Sequence, residues 1–335
     1  MRFAVETWAP DFGAPVGGDV VGESEVEADL TVERDLDDWA PIASSVDPAA
    51  TVLFVDGVER IDARVWLQGG AGGALAADRA REVGAGPPPP PSIDGRHDGG
   101  DSRQGVCASW AAGVVRCDGR ATVVAAEVQR GVLCAGDDVE PIVTRHGEYR
   151  PYPVDDVAGG DPLGQALGRA RGKLEGRVAA QAGPDRDLLV VDGPLGDRRH
   201  IDGAVGYIKA HHVSYLQAGQ QPVIGRLAAG ERTPLFTVGA KGFRYSWYLR
   251  LPGPATHAWW GVVRCEASGE LPLAEAVARA DLVAATLPRF ASKPYHDSRA
   301  PQNLHPIAGL ERELKRRLGD PTLLERALRI AAAAA

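Results

Sequence analysis

The sequence predicts an α/β protein in which a mixed β-sheet is flanked by helices. Two short apolar runs, at 51–55 and 188–191, carry this prediction, because neither alternates apolar with polar residues. Uninterrupted runs of this kind are typical of strands that are buried on both faces. Each run leads into the same tripeptide, Val-Asp-Gly, with the aspartates at Asp56 and Asp192. If the two strands are parallel neighbours, both carboxylates lie at one edge of the sheet.

The first 50 residues are predicted to form an acidic N-terminal region of short strands and irregular chain. Between Glu23 and Asp29, acidic residues alternate with small or apolar ones, which indicates an edge strand with one charged face. Two interpretations of this face stay open, a solvated surface and a docking surface for a basic partner.

Residues 51–335 are predicted to form the main domain, beginning with a strand, a turn at Asp56-Gly57 and a second strand at about 61–67. A Gly- and Pro-rich insertion follows at about 69–103, with five consecutive prolines at 87–91, and is predicted to be disordered. Strand-like runs at 106–116 and 121–133 flank Cys-Asp-Gly-Arg at 117–120, which predicts a β-hairpin.

A helix is predicted at 161–182, because apolar residues recur there at helical spacing. The remaining predicted elements are a helix at 204–216, strands at 234–238, 243–251 and 259–266, a helix at 273–287, a polar loop at 292–303, and C-terminal helices at 304–318 and 321–330. A strand meander followed by helix, strand and helix is the order of an RNase H-like sheet. The fold prediction is therefore RNase H-like, with an added N-terminal β region and C-terminal helices.

The composition narrows the class of protein. The 37 basic and 45 acidic side chains give a net charge of −8, which argues against a non-specific coat for nucleic acid but allows a local basic groove. The four cysteines show no CxxC spacing, so we expect reduced core residues and no zinc site. No apolar run approaches the roughly 20 residues of a membrane span, so we expect a cytoplasmic protein without a membrane partner.

Acidic residues at the predicted sheet edge indicate a divalent metal site. Asp56 and Asp192 repel each other unless a cation lies between them, and Glu175 on the preceding helix is expected over the same edge. The fourth ligand is expected from the stretch 292–305, with Asp297 and His305 as alternatives. Such ligands suit Mn²⁺ or Mg²⁺, and two ions about 4 Å apart support phosphodiester hydrolysis.

Basic and aromatic residues are candidates for contacts with DNA. Lys209 and Arg299 would hold a phosphate beside the metals and offset transition-state charge. In the strand at 243–251, Arg244, Tyr248 and Arg250 share one face. Either this face belongs to an ordinary core strand with a solvated back, or it stacks on single-stranded DNA and contacts its phosphates.

Several short motifs resemble the NurA family of nucleases, in a branch found in high-GC bacteria. They are Trp-Ala-Pro-Asp-Phe-Gly at 8–13, the two Val-Asp-Gly tripeptides, Gly-Tyr-Ile-Lys at 206–209, the stretch 244–254 and Arg-Ala-Pro at 299–301. The resemblance covers nearly the whole chain. It implies an RNase H-like, manganese-dependent 5′–3′ exonuclease with single-strand endonuclease activity, which dimerises and processes DNA ends with a HerA-like hexameric ATPase.

The resemblance also assigns roles to single residues. It matches Asp56 and Asp192 to the family's two strand aspartates, Glu175 to its helix glutamate and His305 to its late histidine. The family usually has serine after each Asp-Gly, where this chain has Val58 and Pro194. A second hypothesis therefore stays open, a catalytically inactive RNase H-like subunit that docks on a DNA translocase through its acidic N-terminal strand.

Overall fold

The structure is a computed structural model that describes most of the chain. The described residues are 22–23, 26–68, 102–136, 139–154, 161–211, 213–239, 243–254 and 256–334. Nearly all of the predicted insertion at 69–103, and the N-terminal residues 1–21, lie outside these ranges.

The strands are named here in chain order. They are β1 (Gly22–Glu23), β2 (Ala28–Asp29), β3 (Ile42–Ala43), β4 (Val52–Gln68), β5 (Ser102–Cys117), β6 (Ala121–Cys134), β7 (Ile142–Thr144), β8 (Gly147–Pro153), β9 (Leu188–Asp192), β10 (Ala204–Ile208), β11 (Val213–Ser214), β12 (Glu231–Arg232), β13 (Phe236–Val238), β14 (Arg244–Arg250) and β15 (Val262–Ser268).

The helices follow the same convention. They are α1 (Pro162–Ala180), α2 (Pro222–Arg226), α3 (Leu273–Thr286), α4 (His305–Leu318) and α5 (Pro321–Ala334), with 3-10 turns at Leu36–Asp38, Gly196–His200 and Leu287–Phe290. The predicted helices at 161–182, 273–287, 304–318 and 321–330 are confirmed, and α5 continues to Ala334, four residues beyond its predicted end.

The chain divides into two compact units. Within the described ranges, the first comprises the chain up to Gly57, Ala112–Glu127 and Leu174–Leu314, and the second comprises Val58–Ala111, Val128–Lys173 and the chain from Lys315 onward.

A mixed sheet forms the centre of the first unit. Its strands follow the order β2-β13-β14-β15-β10-β9-β4, in which β9 is parallel to both β10 and β4, whereas β15 is antiparallel to β10 and β14. Helix α3 packs against β14 and β15. The predicted mixed α/β fold with flanking helices is therefore confirmed at this level. The short strand β2 ends the sheet, and within the described part of the acidic segment only β1 and β2 are extended.

The predicted turn at Asp56-Gly57 is wrong, because β4 runs without interruption from Val52 to Gln68. β-Branched and aromatic residues before and after this dipeptide favour an extended chain, and Asp56 itself is buried within the strand. The second Asp-Gly does turn, since Gly193 has φ +91°. The hairpin predicted at 117–120 is confirmed, with Gly119 at φ +98° between β5 and β6.

The predicted helix at 204–216 is also wrong. Its first five residues, Ala-Val-Gly-Tyr-Ile, form β10, and every one of them is buried. A central strand covered on both faces needs no polar side, so the run lacks the alternation that marks a surface strand and is easily mistaken for a helix. Lys209 therefore directly follows a strand instead of lying on a helix.

The second unit contains the order β6-β8-β7, with β8 parallel to β6 and antiparallel to β7. A buried carboxylate ties its core together. Asp62 accepts hydrogen bonds from Tyr149 Oη at 2.9 Å, from Arg60 Nε at 2.8 Å and from the Ser109 hydroxyl. Because all of these donors are committed to Asp62, the cluster is structural.

All four cysteines are buried and free of disulfides, as the sequence predicted. Among the described helices, none combines the length and the apolar character that crossing a membrane requires.

Candidate active site

The two Val-Asp-Gly strands bring their aspartates side by side. β4 and β9 pair in parallel with Val55 opposite Val191, so Asp56 and Asp192 are the next pair along the two strands. Neighbouring strands lie about 4.8 Å apart. The parallel pairing expected from the two apolar runs is therefore confirmed.

Asp192 has one bonded and one unbonded carboxylate oxygen. Its Oδ2 accepts a hydrogen bond from Lys209 Nζ at 2.6 Å. Its Oδ1 is buried and has no hydrogen-bond partner among the residues that the structure describes. A buried carboxylate oxygen without a donor is costly, and a cation is the group that best satisfies it.

Asp56 is held in an unfavourable electrostatic environment. It is 6 % exposed, and Gly57 N–H donates to its Oδ1 at 2.7 Å. Burial, together with the nearby charges of Asp192 and Glu175, raises the pKa of the Asp56 carboxyl well above 3.8, and Lys209 offsets only part of this. Burial is thus the main reason why the pKa of Asp56 is raised, and the two neighbouring carboxylates add to it.

Helix α1 supplies the third carboxylate, Glu175, which is 2 % exposed. It forms an ion pair with Arg198, whose other terminal nitrogen donates to the carbonyl of Pro194 at 2.6 Å. Sequence reasoning missed Arg198. The basic run at 196–200 follows the second Asp-Gly closely, but nothing in it distinguishes Arg198 from Arg199, whose guanidinium instead lies 4.1 Å from the centre of the Phe243 ring.

A series of hydrogen bonds and ion pairs connects Asp192 and Lys209 to residues near the start of α4. Lys209 Nζ also donates to Asn303 Oδ1 at 3.2 Å, and Asn303 Nδ2 donates to Asp297 Oδ2 at 2.6 Å. Asp297 Oδ1 accepts from the backbone N–H of Arg299 at 2.8 Å, and Arg299 pairs with Glu311 at 2.7 Å. The structure therefore links Lys209, Asp297 and Arg299 through Asn303, a residue that carried no recognisable sequence signal.

The turn after Asp192 is fixed from the neighbouring strands. Gly193 exchanges two backbone hydrogen bonds with Tyr207 on β10, at 2.8 and 3.0 Å. Leu195 N–H donates to Glu266 Oε2 on β15 at 3.0 Å, and Glu266 is fully buried. Glu266 also pairs with Arg244 at 2.9 Å and with Arg264, so Arg244 contributes to holding this turn.

Gly206 on β10 makes room for that turn, and this leads to a prediction about stability. A Cβ atom at residue 206 would lie 2.7 Å from Leu195 N and 3.1 Å from Gly193 O, both of them backbone atoms. We expect Gly206→Ala to lower the free energy of unfolding by about 1–3 kcal/mol, because the backbone must move. Urea denaturation checks this.

Gly168→Ala is the matched control, since Gly168 lies within α1 with no atom close to a new Cβ, and it should leave stability unchanged or slightly higher. Equal effects of the two substitutions would contradict the prediction.

The burial of Tyr248 and Arg250 contradicts the interpretation that these residues contact DNA. Tyr248 is fully buried in a core that includes Trp39 and Phe236, and burial raises its pKa to about 12. Arg250 is 4 % exposed, and its guanidinium donates to backbone carbonyl groups, including Ile224 O at 2.9 Å. The alternative interpretation, a core strand with a solvated back, is confirmed as to the core strand, but the face predicted to be solvated is buried at both residues. Sequence alternation failed here because β14 lies inside the sheet and is covered on both faces.

His305 lies at the first residue of α4 and is exposed. Its ring centre is 5.8 Å from that of His296. Within the described part of the chain, no contact joins His305 to Asp56 or Asp192. The structure thus places Asp297, and not His305, on the hydrogen-bonded chain that leads to Asp192.

The donor set fits one divalent cation held by two carboxylates. In the described ranges, no group of three or more histidine, cysteine, aspartate or glutamate side chains is close enough to hold a metal ion. Asp56 and Asp192 nevertheless offer adjacent carboxylates, and one buried oxygen lacks a donor. When Asp56, Asp192 and Glu175 are all ionised, these three carboxylates face two protein cations, Lys209 and Arg198, which leaves an excess of one negative charge.

Comparison with known proteins shows a likeness to solved structures but no match to a known sequence family. No protein-family model and no curated protein matches the sequence. Among solved structures, the chain is similar to the NurA nuclease from Sulfolobus solfataricus, with a TM-score of 0.45 and 10 % identity, over 84 % of this chain and 86 % of that chain. At this identity and TM-score, the likeness assigns neither a family nor an activity to this chain.

Proposed function

We propose that this chain is a metal-dependent deoxyribonuclease that hydrolyses phosphodiester bonds. The observation that carries the proposal is the pairing of the buried Asp56 with the half-buried Asp192, whose Oδ1 is buried and has no donor among the described residues. The pKa of Asp56 is raised as well. A buried site with surplus negative charge beside a positioned lysine suits a divalent cation and, once the cation neutralises it, a phosphate.

The roles of the residues follow from this geometry. Asp56 and Asp192 would hold the metal, with Lys209 fixing the second oxygen of Asp192. A bound Mn²⁺ or Mg²⁺ supplies Lewis-acid stabilisation of the phosphate and a water of lowered pKa. Lys209 and Arg198 add positive charge beside the site and favour an anionic substrate. If two ions bind, an arrangement that supports phosphodiester hydrolysis, Glu175 is the remaining carboxylate for the second, and its pair with Arg198 must then rearrange.

The finer parts of the proposal rest on the sequence motifs. They are an RNase H-like nuclease domain, 5′–3′ exonuclease and single-strand endonuclease activity on DNA ends, a homodimer and a HerA-like hexameric ATPase as partner.

Digestion of end-labelled DNA tests the proposal directly. Purified protein is incubated with single-stranded or duplex DNA in the presence of Mn²⁺, Mg²⁺ or EDTA. We expect degradation with a divalent ion and none with EDTA. No degradation in either metal, even with the translocase added, would contradict the proposal and favour the docking-subunit hypothesis.

Metal binding is expected to stabilise the fold independently of catalysis. A ligand that binds only the folded state raises stability by RT ln(1 + [L]/Kd), which is about 2.7 kcal/mol at 100 times Kd. We therefore expect saturating Mn²⁺ to raise the Tm of the protein by several degrees, as measured by calorimetry. The shift should be lost in Asp192→Asn and kept in Asp202→Asn, a control aspartate that is exposed in the same unit. A shift that survives in Asp192→Asn would place the metal elsewhere.

A further inference from the structure

We propose that Asn303 and Asp297 are positioning residues that hold Lys209 against Asp192, and that Asp297 does not bind the metal. The inference rests on the proposed function and assigns it two further residues, one of which the sequence had suggested as a metal ligand.

The amide of Asn303 has a fixed orientation. Asn303 is fully buried, its Oδ1 accepts from Lys209 and its Nδ2 donates to Asp297. An ammonium group has no acceptor and a carboxylate has no donor, so only this orientation satisfies both neighbours. Asp297 thereby sets which way the amide of Asn303 points, and this sets where the acceptor for Lys209 lies.

Asp297 is already supplied with donors, in contrast to Asp192. Its Oδ2 accepts from Asn303 at 2.6 Å and its Oδ1 from the backbone N–H of Arg299 at 2.8 Å, with Arg299 Nε at 3.6 Å. A metal ligand at this position would have to give up these bonds. The unbonded Oδ1 of Asp192 needs no such rearrangement, which is why the metal is assigned to Asp192.

Asn303 and Asp297 affect the site by fixing the position of the Lys209 ammonium group. Its long side chain rotates freely unless its ammonium is held, and here two acceptors, Asp192 Oδ2 and Asn303 Oδ1, hold it. The bond to Oδ2 leaves Oδ1 of Asp192 free for the metal. Loosening Asn303 or Asp297 would therefore disturb Lys209 first and would leave the metal-binding oxygens in place.

Measurements of metal affinity and turnover distinguish a positioning role of Asp297 from a role as a metal ligand. We expect Asp297→Asn to keep the Kd for Mn²⁺ within about twofold in isothermal titration and to lower kcat on labelled DNA about tenfold, the size typical of an outer-shell residue. Asn303→Leu should behave in the same way, and Asp297→Asn serves alone if that buried substitution fails to fold. A loss of Mn²⁺ affinity as large as that of Asp192→Asn would overturn the proposal.

Combining Asp297→Asn with Lys209→Met tests whether Asp297 acts on turnover through Lys209. If Asp297 acts through Lys209, Asp297→Asn should cause no further loss of kcat in the Lys209→Met background, whereas a full tenfold loss there would overturn the proposal. Gln220→Leu is the control, because it removes a buried amide that donates to Leu36 O, away from Asp192. We expect it to change neither kcat nor Kd, whatever its effect on Tm.

A double-mutant cycle based on thermal stability tests the positioning role without relying on nuclease activity. In EDTA, the Tm losses of Lys209→Met and Asp297→Asn should be less than additive in the double variant, because both remove the same linked contacts. This holds even if no variant cleaves DNA. Additive losses would overturn the positioning role, whatever the activity of the protein.

Discussion

Asp192→Asn is expected to reduce DNA cleavage about 10³-fold or more while the protein stays folded. The substitution removes one of the two adjacent negative charges that would hold the metal, and it replaces part of a carboxylate whose Oδ1 has no donor among the described residues. The asparagine keeps the size of the side chain and can still accept from Lys209. The loss of cleavage should therefore come from the metal site and not from misfolding.

The rate of release of labelled nucleotides under saturating Mn²⁺ measures this effect. Asp56→Ala should be equally inactive, because Asp56 is the other member of the pair. Asp202→Asn, an exposed aspartate in the same unit, should retain the activity of the unmodified protein. A folded Asp192→Asn variant that cleaves within tenfold of the unmodified protein would remove the pair from the active site.

Asp56→Asn is expected to raise the stability of the metal-free protein at neutral pH. Burial, then Asp192 and Glu175, raise the folded-state pKa of Asp56 above 3.8. Between the unfolded and the folded pKa values, the folded state retains a proton that the unfolded state has released. Stability therefore falls as pH rises through this window, and above the folded pKa the whole penalty is present. Each pKa unit of the shift corresponds to about 1.4 kcal/mol.

Thermal unfolding in EDTA at pH 8 and at pH 4 checks the sign. We expect Asp56→Asn to melt several degrees above the unmodified protein at pH 8, with a smaller difference at pH 4. Asp62→Asn is the matched control on the same strand. Its carboxylate accepts from Arg60, Tyr149 and Ser109, so the same substitution should lower Tm. A lower Tm for Asp56→Asn at pH 8 would show that the fold, and not a ligand, needs the charge at Asp56.

Much of the architecture follows from the sequence because it depends on local patterns. The runs at 51–55 and 188–191 favour a sheet that is covered on both faces. The RNase H-like order of elements predicts that these two strands are neighbours, and the parallel pairing of β4 with β9 places Asp56 beside Asp192. The hairpin at 117–120 follows from a glycine that tolerates positive φ, and α1 follows from apolar residues at helical spacing.

The predictions were wrong for elements whose residue pattern is compatible with more than one secondary structure or environment. The run at 204–208 is apolar throughout, and such a run suits a buried strand as well as a buried helix. Tyr248 and Arg250 alternate as on a surface strand, yet β14 lies between β13 and β15 and is covered on both faces. The Asp-Gly at Asp56 is a common turn sequence, but pairing with β9 keeps the chain extended there.

The sequence by itself determined the two aspartate strands, their parallel pairing and a third carboxylate on the helix before the second strand. Only the tertiary structure decided how these charges are balanced. Lys209 bonds to Asp192, Arg198 pairs with Glu175, and Asn303 joins Lys209 to Asp297. These partners lie up to 94 residues apart in the chain. A hydrogen bond depends on distance and direction in space, and no periodicity or local spacing records which distant donor meets a given carboxylate.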